Sequence, residues 1–341
     1  MALPVPEKTW NKDLNIELRT LGFGNAYQDQ RELMWQIKNA LVNLPVPWTV
    51  EYSCDGVTAG TPGDNVDRWT DRSDVSFGNT AQDGTTGVSW IVLKNSSLLT
   101  NFQLMIKCDS GWRLEGTDAE ITCSPNAGYT GGTTADASPP TATDQVVILT
   151  EGTSWSYQGA GQSVVYDYSM NVWQSSDGEC TRIFLRNLTN QSEFLQIRLE
   201  KAKNPIAGWT YPFIAMWYRN TTSAFSYGGN NDLAQLKAHT PLDGGKTMTF
   251  YASCEGHLSS ANGQAVTGKN KFTDEYEFYP MGLTSRTLNS EGRHGEVFGM
   301  WYVPTLMANA MTVPLTPSET KEFQVFGDIL MVNDGTSPVL V

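Results

Sequence analysis

The sequence predicts a mainly β chain of antiparallel, sandwich-like units with one amphipathic helix near the N-terminus. Three observations carry this expectation. Short β-branched or aromatic runs recur along the chain, divided by Gly, Asp, Asn and Ser. One segment alone reads clearly as a helix. Charged residues make up only 17% of the chain, against a usual ~25%, and the abundance of small polar residues favours strands and turns over long helices.

The helix is read over Ala26–Val42, AYQDQRELMWQIKNALV. Leu33, Ile37 and Leu41 recur at helical spacing, and Met34 and Ala40 widen the stripe. Asn25 followed by Gln28 resembles a capping box, and Leu44-Pro45-Val46-Pro47 stops the helix. Asp29, Arg31, Glu32 and Lys38 are assigned to the opposite, polar side. A lone amphipathic helix at the front of a β-rich chain must dock, either on its own sheet or on a neighbouring subunit.

Beyond Pro47 the clearest strand-like runs are Trp90–Lys94, Phe102–Lys107 and Gln145–Leu149. Later come Arg182–Arg186, Phe194–Leu199, Phe213–Tyr218 and Met248–Ala252, then Glu296–Val303 and Phe323–Val332. Their spacing fits a sandwich or barrel rather than βαβ units. Two of the stretches look alike. IVLKNSSLLTNF from Ile91 and IFLRNLTNQSEF from Ile183 share Ile, Leu, a basic residue, Asn and Phe at one offset (183 − 91 = 92). Their second strands align only with a gap: Leu104 and Ile106 match Ile197 and Leu199 at an offset of 93 (197 − 104 = 93). The pair is either a repeat of two β units or a coincidence between two hairpins.

Between them lies GYTGGTTADASPPTATD, Gly128–Asp144, a long run of small polar residues with a Pro139-Pro140 pair. Connections this long inside compact domains are usually functional loops or linkers. The expected division is therefore 1–47, an N-terminal segment with the docking helix; 48–123, a first β unit; 124–144, a linker or arm; and 145–341, a larger second β unit.

Composition narrows the function classes. A length of 341 residues accommodates two domains or one large one. A net charge of −13 without any basic run argues against a nucleic-acid or anionic-membrane partner. Five scattered cysteines, odd in number and with no C-x-x-C pair, read as buried free thiols. No signal-peptide core and no run approaching a membrane span is visible, so a soluble product of the cytoplasm is expected.

No constellation for catalysis emerges. His239, His257 and His294 do not pair at ligand spacing and sit in polar, loop-like contexts. DGGKT at Asp243–Thr247 lacks the first glycine of a phosphate loop, since position 240 is Thr240, and it precedes a strand. Asp64, Asp67, Asp71 and Asp74 crowd one segment. They fit no EF-hand spacing, and Arg68 and Arg72 can offset them, so a solvated loop with internal ion pairs is favoured over a cation site. Trp90, Trp217 and Trp301 lie in strand runs and read as core; Trp112, Trp155 and Trp209 lie near turns and are candidates for exposure. No cofactor is expected.

Several stretches carry a collective likeness. ELMWQIKNALVNLPVPWTVEYSCDG joins a short amphipathic helix to a Trp-led strand and an Asp-Gly turn. DRW at Asp67–Trp69, SWIVLK at Ser89–Lys94 and the Gly-rich turn before PTATDQVVIL follow. SSDGECTRIFLRN, KNPIAGWTYPFIAMW and the ending FGDILMVNDGTSPVLV complete the set. Together these resemble the structural proteins of tailed-bacteriophage virions, as short motifs scattered over most of the chain. The resemblance implies a non-enzymatic part of the virion, in its neck, collar, tail or baseplate, assembling with copies of itself and with other virion proteins. Under it, the interface candidates are Leu33, Ile37 and Leu41 on the helix and Gly131, Gly132, Pro139 and Pro140 in the arm, which would leave the subunit and cross to a neighbour. The alternative is a receptor- or carbohydrate-binding protein on the virion surface, which needs exposed Trp or Tyr near acidic loops.

Overall fold

The computed structural model describes residues 10–19, 26–71, 74, 88–109, 118–132, 139–149, 167–187, 194–205, 207, 213–220, 235–239, 247–253, 279–285, 293–302, 323–326 and 329–332. Among these, the N-terminal part holds β1 (Trp10–Arg19), α1 (Ala26–Val42), β2 (Thr49–Asp55), β3 (Ser89–Lys94), β4 (Gln103–Asp109), β5 (Asp118–Ser124) and β6 (Val146–Leu149). The remainder holds β7 (Asp167–Ser175), β8 (Cys180–Asn187), β9 (Phe194–Lys201), β10 (Phe213–Asn220), β11 (Gln235–His239), β12 (Thr247–Ser253), β13 (Tyr279–Ser285), β14 (Arg293–Tyr302), β15 (Phe323–Phe326) and β16 (Ile329–Val332).

The fold is mainly β, in two antiparallel sheets. The smaller runs β2-β3-β4-β5-β6 and the larger runs β1-β7-β8-β9-β10-β11-β12-β13-β14-β16-β15. Most neighbours in space are neighbours in sequence. The exception at the N-terminal end is β1, which pairs with β7 along its whole length, from Trp10 opposite Ser175 to Arg19 opposite Asp167. The run Phe323–Val332 is a hairpin rather than one strand, with Phe326 facing Ile329 across the turn.

This strand order redraws the expected division of the chain. β6 belongs to the smaller sheet, where Val146 faces Cys123, although it was grouped with the second unit. β1 belongs to the larger sheet, although it was grouped with the helical N-terminal segment. Backbone pairing crosses the chain where sequence order does not.

One apolar core joins the two sheets and the helix. Ile91, Leu93, Leu104, Ile106, Ile121 and Cys123 point from the smaller sheet into a cluster that also holds Met170, Val172, Ile183, Ile197, Leu199 and Phe213 of the larger one. Strand alternation produces this: Ile91 and Leu93, Leu104 and Ile106, and Ile197 and Leu199 stand two residues apart and so face the same way. Met34, Ile37, Ala40 and Leu41 of α1 enter the same cluster, as does Trp48, and Trp48, Phe102 and Phe213 form a chain of edge-to-face rings at 6.0 and 5.7 Å. The helix therefore docks on its own sheets. Ile37 and Leu41, offered as interface residues, are 1% and 0% exposed and are not available to a second subunit in this fold; the side chain of Leu33 lies outside the described residues.

The two look-alike stretches occupy equivalent places. Ile91 faces Ile106 and Leu93 faces Leu104 in the β3–β4 hairpin; Ile183 faces Ile197 and Leu185 faces Leu195 in β8–β9. By pairing register the second strands match at an offset of 91 (197 − 106 = 91), not 93. The second turn is one residue shorter, where the alignment required it to be one residue longer; the two offsets differ by two, so the same face stays inward.

Candidate functional site

Each sheet has a second face, turned away from the shared core, and these two faces are where the molecule is most unusual. On the smaller sheet, Tyr52, Cys54, Trp90, Val92 and Met105 project outward and are buried. What buries them includes the Gly128–Asp144 segment. Its flanks are tied by a two-way backbone bridge, Thr130 to Thr141 at 2.9 and 3.1 Å. Tyr129 joins the outer cluster and its hydroxyl meets that of Thr122 at 2.6 Å, while its N–H donates to the Gln103 side-chain oxygen at 2.7 Å. Asp144 closes the base, accepting from the Ser124 hydroxyl and from the N–H groups of Asn126 and Ala127.

The tight contact is at Gly132. Its φ is +95°, and a Cβ there would lie 2.6 Å from the Trp90 ring and 3.0 Å from Pro140. Pro140 is itself buried, Pro139 is half-buried and Gly131 is exposed. Of the four arm residues proposed for an interface, Gly132 and Pro140 thus pack on the chain's own sheet, and both described flanks stay on the subunit body instead of leaving it. Residues 133–138, between the flanks, lie outside the described residues.

This sealed face has an electrostatic signature. Burial pushes the Tyr52 hydroxyl well above its ordinary value, helped by Glu51. Burial likewise raises the Tyr129 hydroxyl and the Cys54 thiol, against opposing hydrogen bonds from Thr122 and from the Gly56 N–H respectively. These groups stay neutral at physiological pH.

The outer face of the larger sheet is charged. In the row that runs across β7, β8 and β9, Trp173 faces Arg182 and Arg182 faces Arg198; one step on, Cys180 faces Glu200. All are sealed: Trp173 is 1% exposed and Cys180, Arg182, Arg198 and Glu200 are 0%. Glu200 Oε1 accepts a short hydrogen bond from Arg182 Nε and lies 3.3 Å from Arg198 Nε. Burial, followed by repulsion from Arg182, holds the Arg198 pKa down to about 9 despite Glu200.

A clasp fixes the two sheets to each other. The Gln174 side chain accepts from the Val46 N–H at 2.9 Å and donates to its carbonyl at 2.7 Å, as a strand neighbour would. Gly178, at φ +74° in the β7–β8 turn, fits against Val46 and Ser97, and the Asn95 amide donates to its carbonyl.

The acidic run is a structural loop. Asp64 accepts from the N–H groups of Thr61 and Val66 and pairs with Arg68 at 3.0 Å. Burial is the largest single influence on its carboxyl and acts upward, but these donors together hold it below its ordinary value. Asp67 pairs with Lys38 at 2.7 Å and Asp74 accepts from Thr70 and from the Asp71 N–H. Lys38, assigned to the polar side of the helix, turns inward instead. Its ammonium is buried because Asp67 and the Trp69 carbonyl both receive it. No group of three or more candidate metal ligands occurs among the described residues.

Four cysteines, Cys54, Cys108, Cys123 and Cys180, are buried and free. Trp90 is core as expected, and Trp48, Trp69 and Trp173 are buried too. Trp112, Trp155 and Trp209, the candidates for a sugar platform, and His257 lie outside the described residues, as do the side chains of His239, His294, Trp217 and Trp301. The two arginines and Glu200 escaped notice in the sequence. Their signal was only an alternation of charged and apolar positions, which normally marks a solvated face.

Against known proteins, no family model, no curated protein and no solved structure matches this chain.

Proposed function

We propose that the protein is a non-enzymatic structural component of a tailed-phage virion, of the neck, collar or tail region, assembling with copies of itself and with other virion proteins. The observation that carries the reading is the open larger sheet. Its order ends in β1 on one side and β15 on the other, each with a single partner strand among the described residues. Two unlike edges, each with one partner strand among the described residues, favour head-to-tail association, in which the edge of one copy extends the sheet of the next; such contacts close into rings when the rotation per subunit allows. The likeness of the helix–strand, turn and C-terminal motifs to virion proteins supports the same reading.

The body is suited to this use. Both faces of the smaller sheet are buried within the chain, and the outer edge of β2 is covered by the following loop, where Gly60 and Asn65 donate to Ser53 and Glu51. The larger sheet keeps, among the described residues, two edge strands with one partner each, and these are the edges assigned to association.

The test is the mass of the purified chain by light scattering behind a sizing column, followed by imaging of any discrete oligomer. A ring-sized species that is lost when proline replaces Ile16 in β1 supports the reading, provided the variant keeps its circular dichroism. A species that persists unchanged in that variant removes the edge-to-edge model.

A further inference from the structure

The charged cluster on the outer face of the larger sheet is incomplete as it stands. Among the described residues it brings two guanidinium groups together with one carboxylate, all fully buried. Glu200 serves both arginines through the same oxygen, Oε1. Nε, Nη1 and Nη2 of Arg198 have no protein hydrogen-bond partner, and neither has Glu200 Oε2. A buried cation left in this condition is strongly unfavourable, because one shared carboxylate oxygen does not replace the hydration of a whole guanidinium. The depressed Arg198 pKa reports the same strain on the charged form. Loss of the proton does not resolve it at neutral pH, since that value remains above 7.

A small anion answers the Arg198 donors that Glu200 leaves open. We propose that Arg198, with Arg182 across the strand pair, holds a small monovalent anion of the halide class within the sealed outer face of the larger sheet. The Nη edge of Arg198 is the part that Glu200 does not claim, and it supplies N–H donors in a fixed fork. A halide is preferred to a larger oxyanion because Trp173, Cys180, Arg182, Arg198 and Glu200 are all at most 1% exposed, and because a weakly hydrated ion loses least on entering such a place. A site sealed to this degree fills as the strands close over it, so anion binding is coupled to folding. This inference is independent of the assembly reading.

The experiment is thermal unfolding of the full chain at constant ionic strength, exchanging chloride for gluconate, with bromide as a second probe. The wild-type midpoint is expected to rise with chloride, by on the order of 2 °C per tenfold once the site fills, and bromide is expected to substitute. Arg198→Met removes the donor fork, and its midpoint is expected to be indifferent to both halides. A wild-type midpoint unaffected by chloride overturns the proposal, and so does an undiminished halide response in Arg198→Met. Should Arg198→Met fail to fold, Glu200→Gln decides. It keeps the shape and raises the positive charge, so its halide response must set in at lower chloride than the wild type's; an onset at equal or higher chloride overturns the proposal.

Discussion

The two sheets present the same apolar residues to each other and opposite chemistry to the outside. In the β3–β4 hairpin, Trp90 and Met105 point outward, under Gly132, Pro140 and Tyr129. In the matching β8–β9 hairpin the equivalent of Trp90 is Arg182, opposite Arg198. Both described patches are buried, yet one holds ring packing and hydroxyl hydrogen bonds, the other a charge cluster. Likeness along one side of a hairpin therefore fixes how it joins a sandwich, and leaves the other side free to diverge.

The largest effect is expected at the charged face. Glu200→Gln leaves two buried guanidinium groups without their carboxylate and should cost on the order of 3–5 kcal/mol in denaturant unfolding. Replacing Arg182, Arg198 and Glu200 together by apolar residues of similar volume should recover most of that loss. If the triple variant is no more stable than Glu200→Gln, the cluster is not acting through uncompensated charge. On the apolar face, Trp90→Ala should cost about 3–5 kcal/mol by opening a cavity beneath Gly132 and Pro140, read in the same assay at the low-denaturant end.

Gly132→Ala comes next. It meets both an unfavourable φ and the Trp90 ring, and about 1–3 kcal/mol of destabilisation is expected. The same change at exposed Gly131 also meets positive φ but open space, so its cost should be smaller. Equal costs at the two positions would show that backbone strain, and not the contact with Trp90, sets the effect.

The smallest effect, and the sharpest comparison, is in alkali. Tyr129 and Cys54 have folded pKa values raised above their unfolded ones, so the unfolded chain loses protons first and stability falls as pH climbs past the unfolded values of about 8.5 and 10. Arg198 has a depressed folded value of about 9, so above that pH the unfolded chain binds more protons and this site contributes increasing stability. In gluconate, with no halide to hold the Arg198 guanidinium charged, urea midpoints at about pH 8.5 and pH 10.5 should therefore move apart less in Tyr129→Phe than in wild type. In Arg198→Met they should move apart more. The opposite pair of results would reverse the assignment of neutral and charged faces.

Much of this fold was legible in the sequence, for local reasons. The helix over Ala26–Val42 announces itself by its period and by the prolines that end it, and β3, β4, β8, β9 and β10 by apolar runs. The strands that were not read, β1, β5, β7, β11 and β13, carry mixed polar composition; WNKDLNIELR has alternation at Leu14, Ile16 and Leu18, with Asn15 and Glu17 between them. The outer faces were harder. Lys38, Arg182, Arg198 and Glu200 look like solvent-facing charges, and whether such a position is buried depends on what folds over it. Gly132 could not be placed because the ring it packs against, Trp90, stands in a strand of the smaller sheet some forty residues earlier. The Gly128–Asp144 segment was recognised as special for its length, but its small residues serve close packing on the subunit's own sheet as well as they would serve an arm.

The pairing of β1 with β7 has a consequence for how the chain is made. Eight strands, β7 to β14, stack in the order in which they are synthesised, so each can close on its immediate predecessor. β1 has no such neighbour. Arg19 meets Asp167 roughly 150 residues later, and at ~5–20 residues per second a ribosome needs on the order of ten seconds or more to deliver that partner. During this interval a ten-residue strand waits with both of its edges bare, next to whatever other nascent chains share the polysome. The first strand translated thus completes the larger sheet late, and the crowding of ribosomes on the message becomes a condition on which edge it finds.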